Sequence, residues 1–182
     1  MKKILLFSAL LLTLALSACS NDLMIAERDL TEEESILLKS FGGAGADHFE
    51  IIGQIPKDYE LYLAIEQYEN GEFIHNKMEP FPVNLDGKDR TVSFAVITDS
   101  DKRKVLFGDS TGVTTMEIET PQGGSSSGKT FEGEIPIKPD EPVYLAYWYS
   151  ESGGMSKGTE GDLEDIKSRE LSYLFQAELK KK

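Results

Sequence analysis

From Asp47 onward, short runs of β-branched and aromatic residues alternate with Gly, Asn, Asp and Pro. This spacing is the strongest constraint on the fold, because short strands separated by turn residues are typical of all-β sandwiches and barrels. Apolar residues make up 40% of the chain, which is enough for a core and excludes wholesale disorder. We therefore predict a mainly β protein, an antiparallel β-sandwich (Ig-like or similar) of about seven to nine strands, with one short N-terminal helix.

The strand candidates are separated by recognisable turn signals. Asn70-Gly71 predicts a hairpin turn of type I′. Residues 162–179 are ambiguous, because a helical stripe competes with the alternation of Leu171, Tyr173 and Phe175, which favours a strand. Predicted flexible Gly/Ser-rich loops cover 121–128 and 150–162. The predicted strands cover 48–54, 60–68, 72–78, 91–98, 104–107, 113–119, 130–137, 143–149 and 171–179.

A short helix is predicted before the strands. Thr31 and Glu34 have the spacing of a capping box, and Gly42-Gly43 can end the helix through a left-handed cap. We interpret 31–45 as this helix and its exit, and 46–182 as the sandwich domain. The polar residues 20–29 are interpreted as a tether.

The first residues have the organisation of an export signal. Lys2 and Lys3 precede an apolar run, residues 4–16, of roughly 13 residues, which is short for a membrane-spanning helix. Leu16-Ser17-Ala18-Cys19 resembles the lipobox of bacterial lipoproteins. The resemblance implies that a signal peptide, 1–18, is removed and that the Cys19 sulfur carries a diacylglycerol. An ordinary secretory signal is the alternative interpretation.

The resemblance implies a lipid-anchored protein on the extracytoplasmic face of the cell membrane, and two acyl chains suffice for stable anchoring. It implies residues 19–30 as the lipidated N-terminus and tether. Ser20 follows the cysteine, which leaves Gram-positive and Gram-negative envelopes both open. The segment from Glu66 to Glu72 also resembles small uncharacterised Firmicute lipoproteins.

Charge and cysteine content exclude several classes of function. The formal net charge of −13 argues against nucleic acid as a partner. A single cysteine excludes a disulfide framework and a multi-cysteine zinc site. We therefore expect no cofactor and no metal site.

Several motif matches lack their structural context. Residues 123–130 fit the P-loop pattern, but Pro121 precedes them and a Gly- and Pro-containing stretch follows, where a helix is required. Residues 105–110 resemble the nucleophile block of GDS-type esterases, but the two histidines, His48 and His75, both lie upstream of Ser110.

The sequence favours neither of two kinds of metal site. His48 and His75 could pair with carboxylates such as Glu50, but two histidines cannot form a three-histidine zinc site. Aspartates in turns could hold Ca²⁺, but turn geometry alone accounts for aspartate there. The carboxylates concerned are Asp99, Asp101, Asp109 and Asp86, together with Asn84.

An aromatic strand, 143–149, is the remaining candidate for a site. Strict alternation places Tyr144 and Trp148 on one face, and Tyr147 and Tyr149 on the other. Either both faces are covered, or Tyr144 and Trp148 form part of an exposed platform for glycan or protein. We take these two residues as the candidate binding site.

Two functions follow as hypotheses. The first is a non-enzymatic binding or structural module of the cell envelope, with a protein or glycan partner and no catalytic residues. The alternative is an envelope hydrolase that uses paired carboxylates. Two carboxylates facing each other in a deep cleft, one of them desolvated, would favour the alternative.

Overall fold

The structure, a computed structural model, describes residues 22–34, 46–83, 85, 90–99, 102–109, 112–118, 123–153 and 162–182. Within these ranges lie eleven strands. They are β1 (Met24–Glu27), β2 (Asp47–Ile52), β3 (Tyr59–Glu69), β4 (Glu72–Val83), β5 (Arg90–Asp99), β6 (Lys102–Asp109), β7 (Gly112–Ile118), β8 (Gly124–Lys129), β9 (Glu134–Pro136), β10 (Val143–Glu151) and β11 (Leu171–Lys181). Residues 32–34 are helical, and α1 (Leu163–Lys167) is a short helix between β10 and β11.

The strands form two antiparallel sheets. Sheet A has the order β7-β6-β5-β2-β1-β9, and sheet B has the order β4-β3-β11-β10-β8. Alternate residues of both sheets form one continuous apolar core. This architecture confirms the predicted mainly β sandwich, with more strands than the sequence indicated.

Aromatic rings fill the centre of that core. Phe175 of β11 is fully buried, and its ring centroid lies 5.5 Å from that of Phe94 and 4.9 Å from that of Phe107, both in sheet A. Burial of such large apolar side chains supplies most of the favourable free energy of folding. The two sheets are therefore held together by rings from facing strands.

Two local predictions are confirmed at residue level. Asn70 and Gly71 both have positive φ, 49° and 89°, as a type I′ turn requires. The Thr31 backbone N–H donates to Glu34 Oε2 over 2.9 Å, and the Glu34 N–H donates to Thr31 Oγ1 over 3.3 Å, which completes the capping box. The predicted helix beyond residue 34 lies outside the described residues up to 45.

The ambiguous C-terminal segment contains both elements. Leu171–Lys181 is a strand, as its alternation predicted, and only Leu163 and Ile166 of the helical stripe lie in the separate helix α1. Asp162 caps α1 by accepting from the backbone N–H of Glu164 over 3.1 Å.

Two strands lie where the sequence predicted none. Met24–Glu27, assigned to the tether, pairs with both β2 and β9. Gly124–Lys129, assigned to a flexible loop, pairs with β10 as an edge strand. A Cβ added at Gly128 would lie 2.9 Å from the Tyr147 hydroxyl oxygen. The glycine therefore provides space for a tyrosine side chain and does not mark a flexible loop. Most of the P-loop match, residues 123–130, lies in this strand.

A β-bulge changes the alternation in β10. Tyr144 pairs with Gln176, whereas Ala146 pairs with Phe175, so Leu145 is one extra residue. Trp148 consequently lies in the core between the sheets, and Tyr144 lies on the outer face of sheet B. The prediction that these two side chains share a face is wrong for this reason.

Candidate binding site

The outer face of sheet B carries a second cluster of aromatic and apolar residues. Its buried members come from β10, α1 and β11, and half-buried side chains from β3, β10 and α1 pack around them. The buried members are Tyr147, Tyr149, Ile166 and Leu174, and the half-buried ones are Tyr68, Tyr144 and Leu163. The outer face is thus covered in part by α1.

A carboxylate lies at the base of this cluster. Glu66 of β3 accepts hydrogen bonds from the hydroxyls of Tyr68, over 2.8 Å, and Tyr144, over 3.1 Å. Gln176 Nε2 donates to the other Glu66 oxygen over 2.8 Å. Burial raises the pKa of both tyrosines above the ordinary value, and the hydrogen bond to Glu66 raises the pKa of Tyr68 further. Both tyrosines therefore remain neutral donors.

Lys167 places its ammonium group over the same two rings. Its nitrogen lies 4.8 Å from the ring centroid of Tyr144 and 5.4 Å from that of Tyr68. Both distances are within the range of cation–π attraction. We call the two rings together with the Glu66 carboxylate the tyrosine cage.

The β3–β4 hairpin and Arg169 fix the end of α1. The backbone N–H of Gly71 donates to the Lys167 carbonyl over 3.0 Å, and that of Asn70 donates to the Arg169 carbonyl over 2.9 Å. The Arg169 guanidinium is only 6% exposed and is ion-paired with Glu151, over 3.0 Å, and with Asp165. The hydrogen bonds to these carboxylates, that of Glu151 first, raise the pKa of Arg169. Lys167 is thereby held next to the cage.

An exposed aromatic ring extends the cluster to the edge of the sheet. Phe73 of β4 is 52% exposed, and its ring packs edge-on against Tyr68 at a centroid distance of 5.6 Å. Ile74 beside it is also exposed. We call Tyr68, Phe73, Tyr144 and Lys167 the binding face.

The predicted candidate pair is separated in the structure. Tyr144 belongs to the binding face, whereas Trp148 is 3% exposed and packs between Tyr173 and the Arg103 guanidinium. Sequence reasoning missed Tyr68, Phe73 and Lys167. The Asn70-Gly71 turn was the available signal for two of them, because it places Tyr68 and Phe73 on facing strands.

The remaining sequence candidates are dispersed. His48 Nδ1 lies 2.7 Å from Ser93 Oγ on sheet A, whereas His75 is exposed on β4 of sheet B. Burial lowers the pKa of His48. No group of three or more His, Cys, Asp or Glu residues is placed to hold a metal ion in the described part of the chain. Cys19, Asn84, Asp86, Asp101 and Ser110 lie outside the described residues, as does the Asp99 side chain.

Two carboxyl groups bear on the hydrolase hypothesis. Burial raises the pKa of Asp47, at the start of β2, to about 6. Among the described residues no second carboxyl group is in hydrogen-bond contact with it. Asp109 borders an open groove of about 380 Å³ between β4 and β7, where its carboxylate is ion-paired with Arg90 over 2.7 Å. Among the described residues, Asp47 therefore faces no second carboxylate, and the ion pair of Asp109 is with a cation.

No helix in the described ranges has the length and apolar character that crossing a bilayer requires.

Comparison with known sequences places the chain in a family. The profile described as the YgaN domain matches residues 24–179. Neither the curated proteins nor the solved structures contain a match to this chain.

Proposed function

We propose that this chain, which belongs to the YgaN domain family, is a lipid-anchored, non-enzymatic binding module of the cell envelope. Its family match begins at residue 24, five residues after Cys19. The lipid on Cys19 would therefore hold the sandwich close to the outer surface of the membrane, where its partner is an envelope protein or glycan.

The anchor is supported by the agreement of three sequence features. A basic start, a short apolar run and a lipobox-like tetrapeptide occur in the order that lipoprotein processing requires. The strong negative charge of the chain supports attachment through lipid rather than through basic residues on an anionic surface.

The observation that carries the binding role is the exposed ring of Phe73 joined to Tyr68. Exposed large apolar residues next to tyrosines are typical of recognition surfaces, because the rings bury area on binding and their hydroxyls satisfy polar groups at the rim. The half-buried Tyr144 of β10 and the Lys167 ammonium of α1 extend this surface beyond β4 and β3 to the far side of β11. The binding face thus combines apolar area with fixed polar groups.

The anchor is tested by Cys19→Ala in cells labelled with a radioactive fatty acid. We expect the wild-type protein to incorporate label and to be cut before residue 19, and the variant to do neither. Labelling of the variant, or an intact N-terminus with an unmodified sulfur in the wild type, would contradict the anchor.

The binding role is tested by the retention of the full chain, in nonionic detergent, on isolated cell walls and on envelope membranes. Phe73→Ser removes the exposed ring from the binding face, and we expect about a tenfold loss of affinity, as for truncation of an aromatic interface residue. Val113→Ser is the matched control, because Val113 is 68% exposed but lies on β7 of the other sheet. The proposal fails if neither fraction retains the wild type, or if both variants weaken retention equally.

A further inference from the structure

The tyrosine cage has the chemical character of a site for an organic cation. Two aromatic faces lie within reach of one ammonium nitrogen, and a carboxylate hydrogen-bonded to both hydroxyls lies behind them. Hydrogen bonding to an anion increases the electron density of a phenol ring, which strengthens its attraction for a cation. Rings and carboxylate together thus favour a positive charge at this place.

Lys167 satisfies this site only in part. Its ammonium nitrogen has a long contact of 3.5 Å with Glu164, whose side chain is 87% exposed. Gln176 is 6% exposed, and its Oε1, adjacent to the Nε2 that binds Glu66, has no hydrogen-bond partner in the described part of the chain. A buried acceptor without a donor costs free energy. An ammonium group has three N–H donors. The ammonium group of a free ligand is not restrained by a side chain attached to a helix, so it can turn to donate to the Gln176 oxygen.

Access to the site is open at its rim. Lys167 is the last residue of the five-residue helix α1, and 19% of its side chain is exposed. The exposed Phe73 ring continues the aromatic surface beyond Tyr68 to the edge of the sheet. A ligand seated on the binding face would therefore lie next to the Lys167 ammonium group.

We propose that the tyrosine cage is a binding site for the primary ammonium group of an external ligand, and that Lys167 fills it in the ligand-free protein. This proposal rests on the proposed function, because the cage forms the centre of the binding face. A ligand ammonium exchanges with the lysine ammonium, so the positive charge over the rings is kept.

Butylammonium chloride is the probe that tests the site, since it reproduces the four-carbon stem and charge of lysine. In Lys167→Ala, studied as the full chain in nonionic detergent, we expect butylammonium to raise the midpoint of thermal unfolding in a saturable way. The wild type should need about tenfold higher concentrations, because its own lysine competes. Lys180→Ala is the matched control, since Lys180 is a half-exposed lysine paired with Glu178 elsewhere on the chain.

Uncharged 1-butanol and sodium chloride at equal concentrations separate ammonium recognition from cavity filling and from screening. A shift in Lys167→Ala no larger than that in Lys180→Ala, or an equal shift with 1-butanol, would overturn the proposal. Introducing Tyr144→Leu into Lys167→Ala should abolish the butylammonium effect, and an unchanged effect would also contradict the site.

If Lys167→Ala does not fold, Lys167→Gln keeps a long side chain without the charge. Butylammonium binding to it, measured by calorimetric titration, carries the same expectation, and absence of binding overturns the proposal. If these titrations show no binding but envelope fractions still bind the protein in a Phe73-dependent way, the ammonium site alone is contradicted. Loss of both would remove the proposed binding face.

Discussion

The two faces of sheet B use the same three strands, β3, β11 and β10, for different purposes. Inward, Leu63, Phe175 and Trp148 pack against sheet A with almost no exposure. Outward, Tyr68 and Tyr144 keep their hydroxyls bonded to a carboxylate under a short helix that covers the sheet only in part. Aromatic residues on one strand thus become fully buried core or a half-buried surface cluster according to what covers them.

The largest effect should come from the inner face. Phe175→Ala removes a fully buried ring that contacts Phe94 and Phe107 across the sheets, so it creates a cavity in the packed core. We expect the free energy of unfolding to fall by about 3–5 kcal/mol, measured by urea denaturation. A loss below about 1 kcal/mol would mean that the two sheets do not share this core.

The strongest test of the outer face is Arg169→Met, which leaves Glu151 and Asp165 without their buried cation. Because both carboxylates are partly exposed, we expect a loss of about 2–3 kcal/mol, below that for a fully buried pair. Lys138→Met is the control, since its pair with Glu141 is exposed and should contribute less than about 0.5 kcal/mol. Equal losses in the two variants would contradict the structural role of Arg169.

A partly buried carboxyl group on sheet A should make the stability of the protein depend on pH. Asp47 is in phase with the core residues of β2, and burial raises its pKa to about 6, above the unfolded value of about 3.9. Its contribution to stability is fully present below about pH 4 and is lost as the pH rises through about 6.

Asp47→Asn should therefore be more stable than the wild type above about pH 6, by about 1 kcal/mol after allowance for partial exposure, and equal to it below about pH 4. Urea denaturation across this range measures the difference. A difference that does not change with pH would show that the Asp47 carboxyl is not desolvated in the folded state.

The smallest effect should come from Tyr144→Phe, which keeps the ring in the tyrosine cage but removes one donor to Glu66. We expect a loss of about 0.5–1.5 kcal/mol in the free energy of unfolding, the contribution of one hydrogen bond. The nearby Tyr62→Phe is a control on the same face of the sheet, since Tyr62 bonds Glu60 and lies outside the cage. A larger loss at Tyr62 would contradict the importance of the cage.

Local signals in the sequence predicted much of the fold. Asn70-Gly71 and the Thr31–Glu34 capping box act through backbone geometry within a few residues, and both are found as predicted. The alternation of Leu171, Tyr173 and Phe175 predicted β11 because one side of that strand faces a continuous core. Short-range rules suffice where the partner of each residue is near in sequence or is simply the core.

Longer-range packing explains the rest. Position 128 is a glycine within a strand because Tyr147 needs the space beside it, which strand propensity does not record. The extra residue Leu145 depends on pairing with β11, so period-two reasoning wrongly placed Trp148 on the same face as Tyr144. Lys167 reaches Tyr68 across about a hundred residues of chain, and no local pattern indicates that contact.

The chain contains a single tryptophan, so acrylamide quenching of its fluorescence directly tests whether Trp148 lies between the two sheets. We expect Trp148, inside the sandwich, to emit at short wavelength and to be weakly quenched until the protein unfolds. Adding envelope fractions or butylammonium should leave this emission unchanged. Strong quenching of Trp148 in the folded protein would contradict this placement, because it would put the indole ring outside the core between the sheets.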